Sequence, residues 1–300
     1  MIVLMVPQGA ALEVDRVAEV AQAAGADVIE TRAVPVPVTL FDRRTVHNLL
    51  VSSADTEGLS SRLRDLSDQY GVDIALQSRA ARCQSYRLAV FDMDSTLIDC
   101  EVIDQLAAQA GVGEAVAEIT AQAMRGELDF DESYRTRLAL LEGLDARAVE
   151  ELADRLPVKE GLREMTTTLK AQGLKLAIFS GGFMPIAERL QVDYGFDEVV
   201  ANTLEIASGK VTGRVVPPIV NREHKAAALR ALATRLGIGV DACIAVGDGA
   251  NDLDMMAMAG LGVAFHAKPA VRAASPIEVT HCGLDGVCYL LGSEGEFANT

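Results

Sequence analysis

Two pairs of aspartates occupy positions in the sequence where a metal ion could be held. Asp92 and Asp94 lie two residues apart after the apolar run Leu88–Phe91. Asp248 and Asp252 lie four residues apart after a similar run. Carboxylates on a tight loop after a buried strand are unfavourable unless something compensates their charge, which a divalent cation does. One pair alone does not define a reaction, because a single aspartate can form a turn or cap a helix, and the DxD pattern also occurs in metal-dependent glycosyltransferases.

A third polar segment, Ser180-Gly181-Gly182, also follows an apolar run, and Lys225 lies in the predicted helix before the second aspartate pair. A hydroxyl followed by two glycines leaves backbone N–H groups free near a helix start, which suits a phosphate oxygen. Taken alone, the segment is a glycine turn with a serine cap, and a lysine on a helix is ordinarily solvated. Three such segments at successive strand ends make separate structural explanations improbable, and they leave the glycosyltransferase alternative without support.

Short apolar strands alternate with amphipathic helices from residue 87 onwards. The apolar runs cover residues 88–91, 176–179, 243–246 and 262–265. This alternation predicts a parallel sheet with helices on both faces, in three layers. Ligands of such sheets bind at the carboxyl ends of the strands, where the polar segments lie.

The alternation stops at about residues 98–160, which predicts a helical cap inserted over the strand ends. The helical stretches of this insertion are Glu101–Ala110, Ala115–Arg125, Phe130–Leu141 and Ala146–Leu156.

Residues 1–78 have a different pattern, in the order βαββαβ, which predicts an α+β ferredoxin-like domain. Pro35 and Pro37 interrupt the chain between its second and third strands. Residues 79–86 are polar and predict a linker, so the predicted domains are 1–78 and 87–300.

Composition excludes several classes of protein. The chain has 300 residues, half of them apolar, so it can bury a sizeable core. The 43 acidic and 27 basic residues give a net charge of −16, which argues against general binding to nucleic acid or to an anionic membrane. Five cysteines without a CxxC pattern favour a reducing, cytoplasmic compartment. Neither a signal peptide nor an apolar stretch of ~18 residues is expected.

The ordered set DxDST, SGG and GDGxND, with a lysine before the last, resembles the haloacid dehalogenase superfamily over residues 87–292. The resemblance implies a Rossmann-like core, a mobile cap and Mg²⁺ as cofactor. By matching position, Asp92 is implied as the nucleophile and Asp94 as the general acid/base. Asp248 is implied as a Mg²⁺ ligand, together with Asp92 and the backbone carbonyl of Asp94.

The same resemblance implies roles for the remaining core residues. Asp252 orients the metal or its waters, and Ser180, Gly181, Gly182 and Lys225 hold the phosphoryl group. The chemistry that follows is an aspartyl-phosphate intermediate, which divides a very slow hydrolysis into two steps. Mg²⁺ and the lysine relieve the repulsion between carboxylate and phosphate. The general acid needs burial or neighbouring carboxylates to raise its pKa from about 3.9.

The cap segment resembles that of the phosphoserine phosphatases within this superfamily. The matching residues imply that Glu101 binds the substrate ammonium and Arg137 its carboxylate. Phe130 and Met124 are implied to shield the closed site, and Asn251 to contact phosphate or carboxylate, as Gly181 and Gly182 are.

Taken singly, the cap residues also have simpler explanations. Glu101 can be an acid favoured by a helix dipole, and Phe130 and Tyr134 can be core residues. Arg137 can pair with Asp131 or with Glu132.

The expected function is hydrolysis of O-phospho-L-serine in the last step of serine biosynthesis. The N-terminal domain resembles the ACT-like modules that precede some phosphoserine phosphatases, which implies amino-acid binding or a homodimer formed through this domain. One alternative is a phosphatase or phosphotransferase for another small phosphomonoester. A second alternative, from a different class, is a non-catalytic amino-acid sensor.

Overall fold

The computed structural model describes residues 1–34, 44–52 and 55–292, and contains two sheets. The segment with Pro35 and Pro37 lies outside the described residues, as do residues 293–300. None of the helices in the described ranges has the length and apolar character that crossing a bilayer requires.

The N-terminal sheet is antiparallel, with strand order β2-β3-β1-β4. Its elements are β1 (Ile2–Val6), α1 (Val14–Ala23), β2 (Asp27–Val34), β3 (Thr45–Ser52), α2 (Thr56–Tyr70) and β4 (Asp73–Leu76). This order confirms the predicted ferredoxin-like domain. Helix α2 begins where the Asp55 carboxylate accepts a hydrogen bond from the N–H of Gly58 at 2.9 Å. It ends at Gly71, which adopts the left-handed conformation at φ 65°.

The second sheet is the predicted α/β core, with strand order β11-β10-β9-β5-β6-β7-β8. Its strands are β5 (Leu88–Phe91), β6 (Lys175–Phe183), β7 (Glu198–Ala207), β8 (Lys210–Val216), β9 (Cys243–Gly247), β10 (Leu261–Phe265) and β11 (Glu278–Val279). All neighbouring pairs are parallel except β7 with β8.

Helices cover both faces of this sheet, because alternate residues of its central strands face opposite layers. In β5, Ala89 and Phe91 pack in one apolar cluster, and Leu88 and Val90 pack in another with Leu229. The helices outside the cap are α8 (Leu162–Ala171), α9 (Met184–Tyr194), α10 (Arg222–Arg235), α11 (Leu253–Met258), α12 (Pro269–Ala274) and α13 (Gly286–Tyr289). The three-layer core is therefore confirmed.

The cap consists of α4 (Val102–Gln109), α5 (Gly113–Met124), α6 (Phe130–Ala139) and α7 (Arg147–Ala153). Two segments of the chain run side by side and connect the cap to the core. Ile98 and Val158 form an isolated β-bridge, and the N–H of Asp99 donates to the carbonyl of Pro157 at 2.6 Å. Both connections therefore leave the core at one place, where a closing motion of the cap would be centred.

The hairpin of β7 and β8 is absent from the sequence-based prediction. Its alternating pattern and the turn at Ser208 and Gly209, both with positive φ, are a recognisable hairpin signal. The hairpin supports the cap, since the N–H of Val211 donates to the carbonyl of Leu144 at 2.8 Å, and its carbonyl accepts from Gly143 at 2.9 Å.

The N-terminal sheet packs directly on the α/β core. Ile2 and Leu4 face the helices of their own domain, whereas Val3 and Met5 belong to the apolar cluster of the core. Within the predicted linker, Arg79–Cys83 forms helix α3. Both faces of the N-terminal sheet are thus covered inside one chain.

A buried carboxylate holds this contact together. The Asp73 carboxylate accepts hydrogen bonds from the backbone N–H groups of Thr280 at 2.6 Å, His281 at 3.1 Å and Cys282 at 2.6 Å. Asp73 is 1% exposed, so water could not readily replace its carboxylate as the acceptor for these N–H groups.

We expect Asp73→Ala to lower the free energy of unfolding by about 3 kcal/mol, because it leaves three largely buried N–H groups without an acceptor. Urea unfolding followed by circular dichroism measures this change. The exposed Asp65 on α2 is the matched control, and Asp65→Ala should change the value by less than about 0.5 kcal/mol. Equal effects of the two substitutions would contradict the assignment.

Candidate functional site

The predicted site residues converge at the carboxyl ends of adjacent parallel strands. Strands β9, β5 and β6 are neighbours in the sheet, and Asp248, Asp92 and Ser180 lie at their carboxyl ends. A cavity of about 770 Å³ opens there between core and cap. Its lining includes the predicted residues Asp92, Asp94, Glu101, Phe130, Arg137, Ser180, Gly181, Gly182, Asp248 and Asn251.

Three buried carboxylates form the centre of the site. Oxygen atoms of Asp92, Asp248 and Asp252 all lie within 4.8 Å of one another. Burial and the charges of Asp92 and Asp252 raise the pKa of Asp248 to about 7. Because buried like charges repel, and oxygen donors suit hard divalent cations, this donor set fits a divalent metal ion. Haloacid dehalogenase-like hydrolases generally use one.

Lys225 compensates part of this charge. Its ammonium is fully buried and lies 2.7 Å from a carboxylate oxygen of Asp92 and 2.7 Å from one of Asp252. Burial lowers the pKa of Lys225, but the charges of Asp252 and Asp92 outweigh burial, so the pKa lies above its usual value. The other oxygen of Asp252 accepts the N–H of Gly249 at 3.0 Å. Asp252 thus holds Lys225 and the loop backbone in place at the edge of the carboxylate cluster.

The environment of Asp94 favours the protonated form of its carboxyl group. It is buried beside Glu101 and Asp92, and burial together with these two charges raises the pKa of Asp94 well above its usual range. One of its oxygens accepts only a long hydrogen bond, 3.4 Å, from the N–H of Val102. A carboxyl group in this state can donate a proton.

The serine–glycine segment lies in the last part of strand β6 and is closely surrounded at Gly182. The Ser180 hydroxyl accepts the N–H of Gly182 at 2.8 Å. A Cβ atom on Gly182 would lie 2.5 Å from the terminal methyl of Met93, so a larger residue at this position would require the Met93 side chain to move. Asn202 fixes the middle residue by donating to the carbonyl of Gly181 at 2.8 Å.

Glu101 precedes helix α4 but does not cap it through its side chain. The hydroxyl of Ser95, a residue at φ 60°, donates to the Glu101 carboxylate at 2.8 Å. The carboxylate therefore lines the cavity in a fixed position, at the N-terminus of α4, where the helix dipole also favours an acid.

Arg137 reaches the cavity from cap helix α6. Its guanidinium donates to the carbonyl of Ser133 at 3.4 Å and to the hydroxyl of Thr120 at 3.5 Å. Asp131, one suggested partner, instead lies 4.0 Å from Arg135. Within the described ranges no carboxylate lies within 4.0 Å of Arg137, which leaves its charge available to a ligand.

Of the remaining predicted residues, Phe130 and Asn251 line the cavity. Phe130 begins α6, and its ring lies near Gly181 on the core side. Asn251 lies in a short 3-10 turn after β9. Met124 ends helix α5, and its side chain lies outside the described part of the structure.

Several residues at the site had no role in the sequence-based prediction. The Thr96 hydroxyl donates to an Asp248 oxygen at 3.1 Å, and Tyr134 and Lys268 line the cavity. Thr96 lies inside the DxDST segment. Lys268 follows the fourth apolar strand, so inspecting that strand end as well would have found it.

Similarity to known proteins agrees with this geometry. The haloacid dehalogenase-like hydrolase family matches residues 86–260. A phosphoserine phosphatase from Streptomyces coelicolor is 46% identical over 85% of this chain and 63% of its own length. One from Streptococcus thermophilus is 44% identical over 70% of this chain and 97% of its own length. The chain spans about six tenths of the length of the Streptomyces relative and of other bacterial relatives.

Similarity of structure extends over both domains. A haloacid dehalogenase family hydrolase from Salmonella enterica serovar Typhi superposes with a TM-score of 0.86 at 30% identity, over 98% of each chain. The chain therefore belongs to the haloacid dehalogenase-like hydrolases and, within them, to the phosphoserine phosphatase family.

Proposed function

We propose that this chain hydrolyses O-phospho-L-serine to L-serine and phosphate, in the last step of serine biosynthesis. The observation that carries the proposal is the pair of opposite charges beside the aspartate cluster. Glu101 offers a carboxylate to the substrate ammonium, and Arg137 offers an unpaired guanidinium to the substrate carboxylate. Phosphoserine has these two groups and a phosphate, and each has a counterpart in one cavity.

In the proposed reaction, Asp92 is the nucleophile and Asp94 the general acid and base. An Asp92 oxygen bonds to phosphorus while the bond from phosphorus to the seryl oxygen breaks, and Asp94 gives its proton to that oxygen. Asp94 then takes a proton from the water whose oxygen attacks phosphorus, which releases phosphate and restores Asp92. The raised pKa of Asp94 supports this assignment, because the first step needs a protonated group.

Mg²⁺ is the divalent cation that we propose, with Asp92, Asp248 and the backbone carbonyl of Asp94 as its ligands. When bound, Mg²⁺ neutralises charge between the carboxylate and the phosphate. The few available carboxylates suit it, since Mg²⁺ keeps several waters and binds substrate phosphate. Asp252 acts on the metal or its waters and keeps Lys225 in place.

The phosphoryl group is held by the residues beneath the nucleophile. Ser180 and Lys225 lie on the core side, and the backbone of Gly181 and Gly182 allows close approach of phosphate oxygens. Phe130 shields the site from water when the cap closes. Met124 shares this shielding role, and Asn251 contacts the phosphate or the carboxylate of the substrate.

A cytoplasmic location and a homodimer complete the proposal. All five cysteines are free thiols, as a reducing compartment requires.

Strand β2 is at the edge of the N-terminal sheet, and its outer side pairs with no strand of the described chain, so we expect any dimer contact there. A monomer in sedimentation experiments would contradict the dimer.

We expect the purified protein with Mg²⁺ to release phosphate from L-phosphoserine, and EDTA to abolish the release. Asp92→Asn should lower the rate at least ~10⁴-fold while the fold is retained, because it removes the nucleophile. Asp104→Asn, at another cavity-lining carboxylate, is the control.

A panel of phosphomonoesters tests the alternatives. Preference for another member, or no release from any, would contradict the proposal.

Arg137→Ala should lower kcat/KM for phosphoserine roughly 100-fold, because a charge-assisted pair to the carboxylate is lost. It should change kcat/KM for phosphoethanolamine, which lacks the carboxylate, less than about threefold. Arg135→Ala on the same helix is the matched control, because Arg135 is exposed. Equal losses on the two substrates would show that Arg137 does not bind the carboxylate.

Asp248→Asn should abolish activity yet raise the Tm of the metal-free protein by about 5 °C at pH 8. The pKa of Asp248 is about 7 when folded and about 3.9 when unfolded. The stability of the metal-free wild type therefore falls as the pH rises from about 4 to 7. Above pH 7 this loss of stability is complete. Thermal unfolding in EDTA measures the Tm of the metal-free protein, and phosphate release in Mg²⁺ measures the activity. A lower Tm of the variant in EDTA would contradict this account.

A further inference from the structure

Tyr134 is a cavity-lining residue whose polar group has no assigned purpose. It lies on α6, four residues after Phe130 and three before Arg137, so the three side chains share one face of the helix. All three line the cavity. The Tyr134 ring stacks on Phe130 with centroids 6.2 Å apart and contacts Phe183 of the core at 6.4 Å. Two aromatic contacts therefore fix the direction of its hydroxyl.

The Tyr134 hydroxyl has no hydrogen-bond partner among the described residues, although the side chain is only 3% exposed. A buried hydroxyl without a partner is unfavourable. The amide of Asn202 lies near it. That amide donates to the carbonyl of Gly181 and accepts from the N–H of Val220, each at 2.8 Å, and it is not in hydrogen-bond geometry with the hydroxyl. The hydroxyl is thus available to a ligand in the cavity.

The surroundings indicate which kind of ligand group the hydroxyl suits. Burial and the charge of Asp94 raise the pKa of Tyr134, and Arg137 lowers it less. The phenol therefore stays protonated and acts as a donor. A neutral donor beside an unpaired guanidinium suits a carboxylate, which accepts several hydrogen bonds at once.

We propose that the Tyr134 hydroxyl donates a hydrogen bond to the substrate carboxylate and shares it with Arg137. Tyr134 is then a specificity residue of the cap, and the inference rests on the proposed function. The cap supplies both contacts from one helical face, so a substrate without a carboxylate leaves both donors unsatisfied.

Tyr134→Phe tests this proposal, because it removes the oxygen and keeps both ring contacts. For phosphoserine, we expect KM to rise about tenfold with little change in kcat. For phosphoethanolamine as substrate, kcat/KM should change less than twofold. The inhibition constant of phosphoethanolamine, measured against the hydrolysis of phosphoserine, should also change less than twofold. The Tm should stay equal or rise, because the hydroxyl has no partner in the free protein.

Tyr289→Phe is the matched control. The Tyr289 hydroxyl is also buried without a partner among the described residues, but it lies away from the cavity, so neither substrate should be affected. Equal effects of Tyr134→Phe on both substrates, or a lower Tm, would assign the hydroxyl a purely structural role and overturn the proposal. Unchanged kinetics of Tyr134→Phe in a wild-type enzyme active on phosphoserine would overturn this inference alone. An inactive wild type would instead contradict the proposed function.

Discussion

The site depends on the concentration of negative charge at the carboxyl ends of two neighbouring parallel strands, β5 and β9. Asp92, Asp248 and Asp252 bring their oxygens within 4.8 Å of one another in a buried region, where the repulsion between like charges is poorly screened. The ammonium of Lys225 contacts Asp92 and Asp252 and offsets part of this repulsion. The remainder makes the cluster suited to a cation and raises the pKa of Asp248. The binding of a metal is thus prepared by an arrangement that is unfavourable without one.

The scaffold makes this arrangement possible. Strands β5, β6 and β9 are wholly or largely buried and pack on both faces, so the apolar core stabilises a site that by itself opposes folding. Parallel pairing brings together three segments that are far apart in sequence, at Asp92, Ser180 and Asp248. The cap adds charges of its own, Glu101 and Arg137, which act on the parts of a ligand away from the phosphate.

The N-terminal domain is integrated with the core. Each face of its sheet is buried, one by its own helices and the other by the core. The buried Asp73 carboxylate accepts three backbone N–H groups of the core. In the same region, Arg44 pairs with the buried Asp285 at 2.6 Å and lies 3.5 Å from Glu160, close to the base of the cap. The domain is therefore in direct contact with the segment about which the cap would close.

The sequence by itself determined the class of both domains and the residues of the aspartate cluster. Apolar strands of the core and the order of the N-terminal elements are local patterns, and the polar segments follow them directly. The hairpin of β7 and β8 also has a local pattern, but a short polar alternation is easily overlooked beside buried strands. Its role under the cap is a matter of tertiary packing.

Only the tertiary structure decided which charges are paired and which hydroxyls are not. Arg137 had several acidic neighbours in sequence, yet Asp131 lies near Arg135 and leaves Arg137 facing the cavity. Tyr134 fits a core position by spacing, but its hydroxyl, at the cavity wall, has no partner in the part of the chain that the structure describes. The raised pKa of Asp94 arises from burial beside Glu101 and Asp92. Pairing and desolvation depend on distances between distant segments, and a sequence specifies those distances only once it is folded.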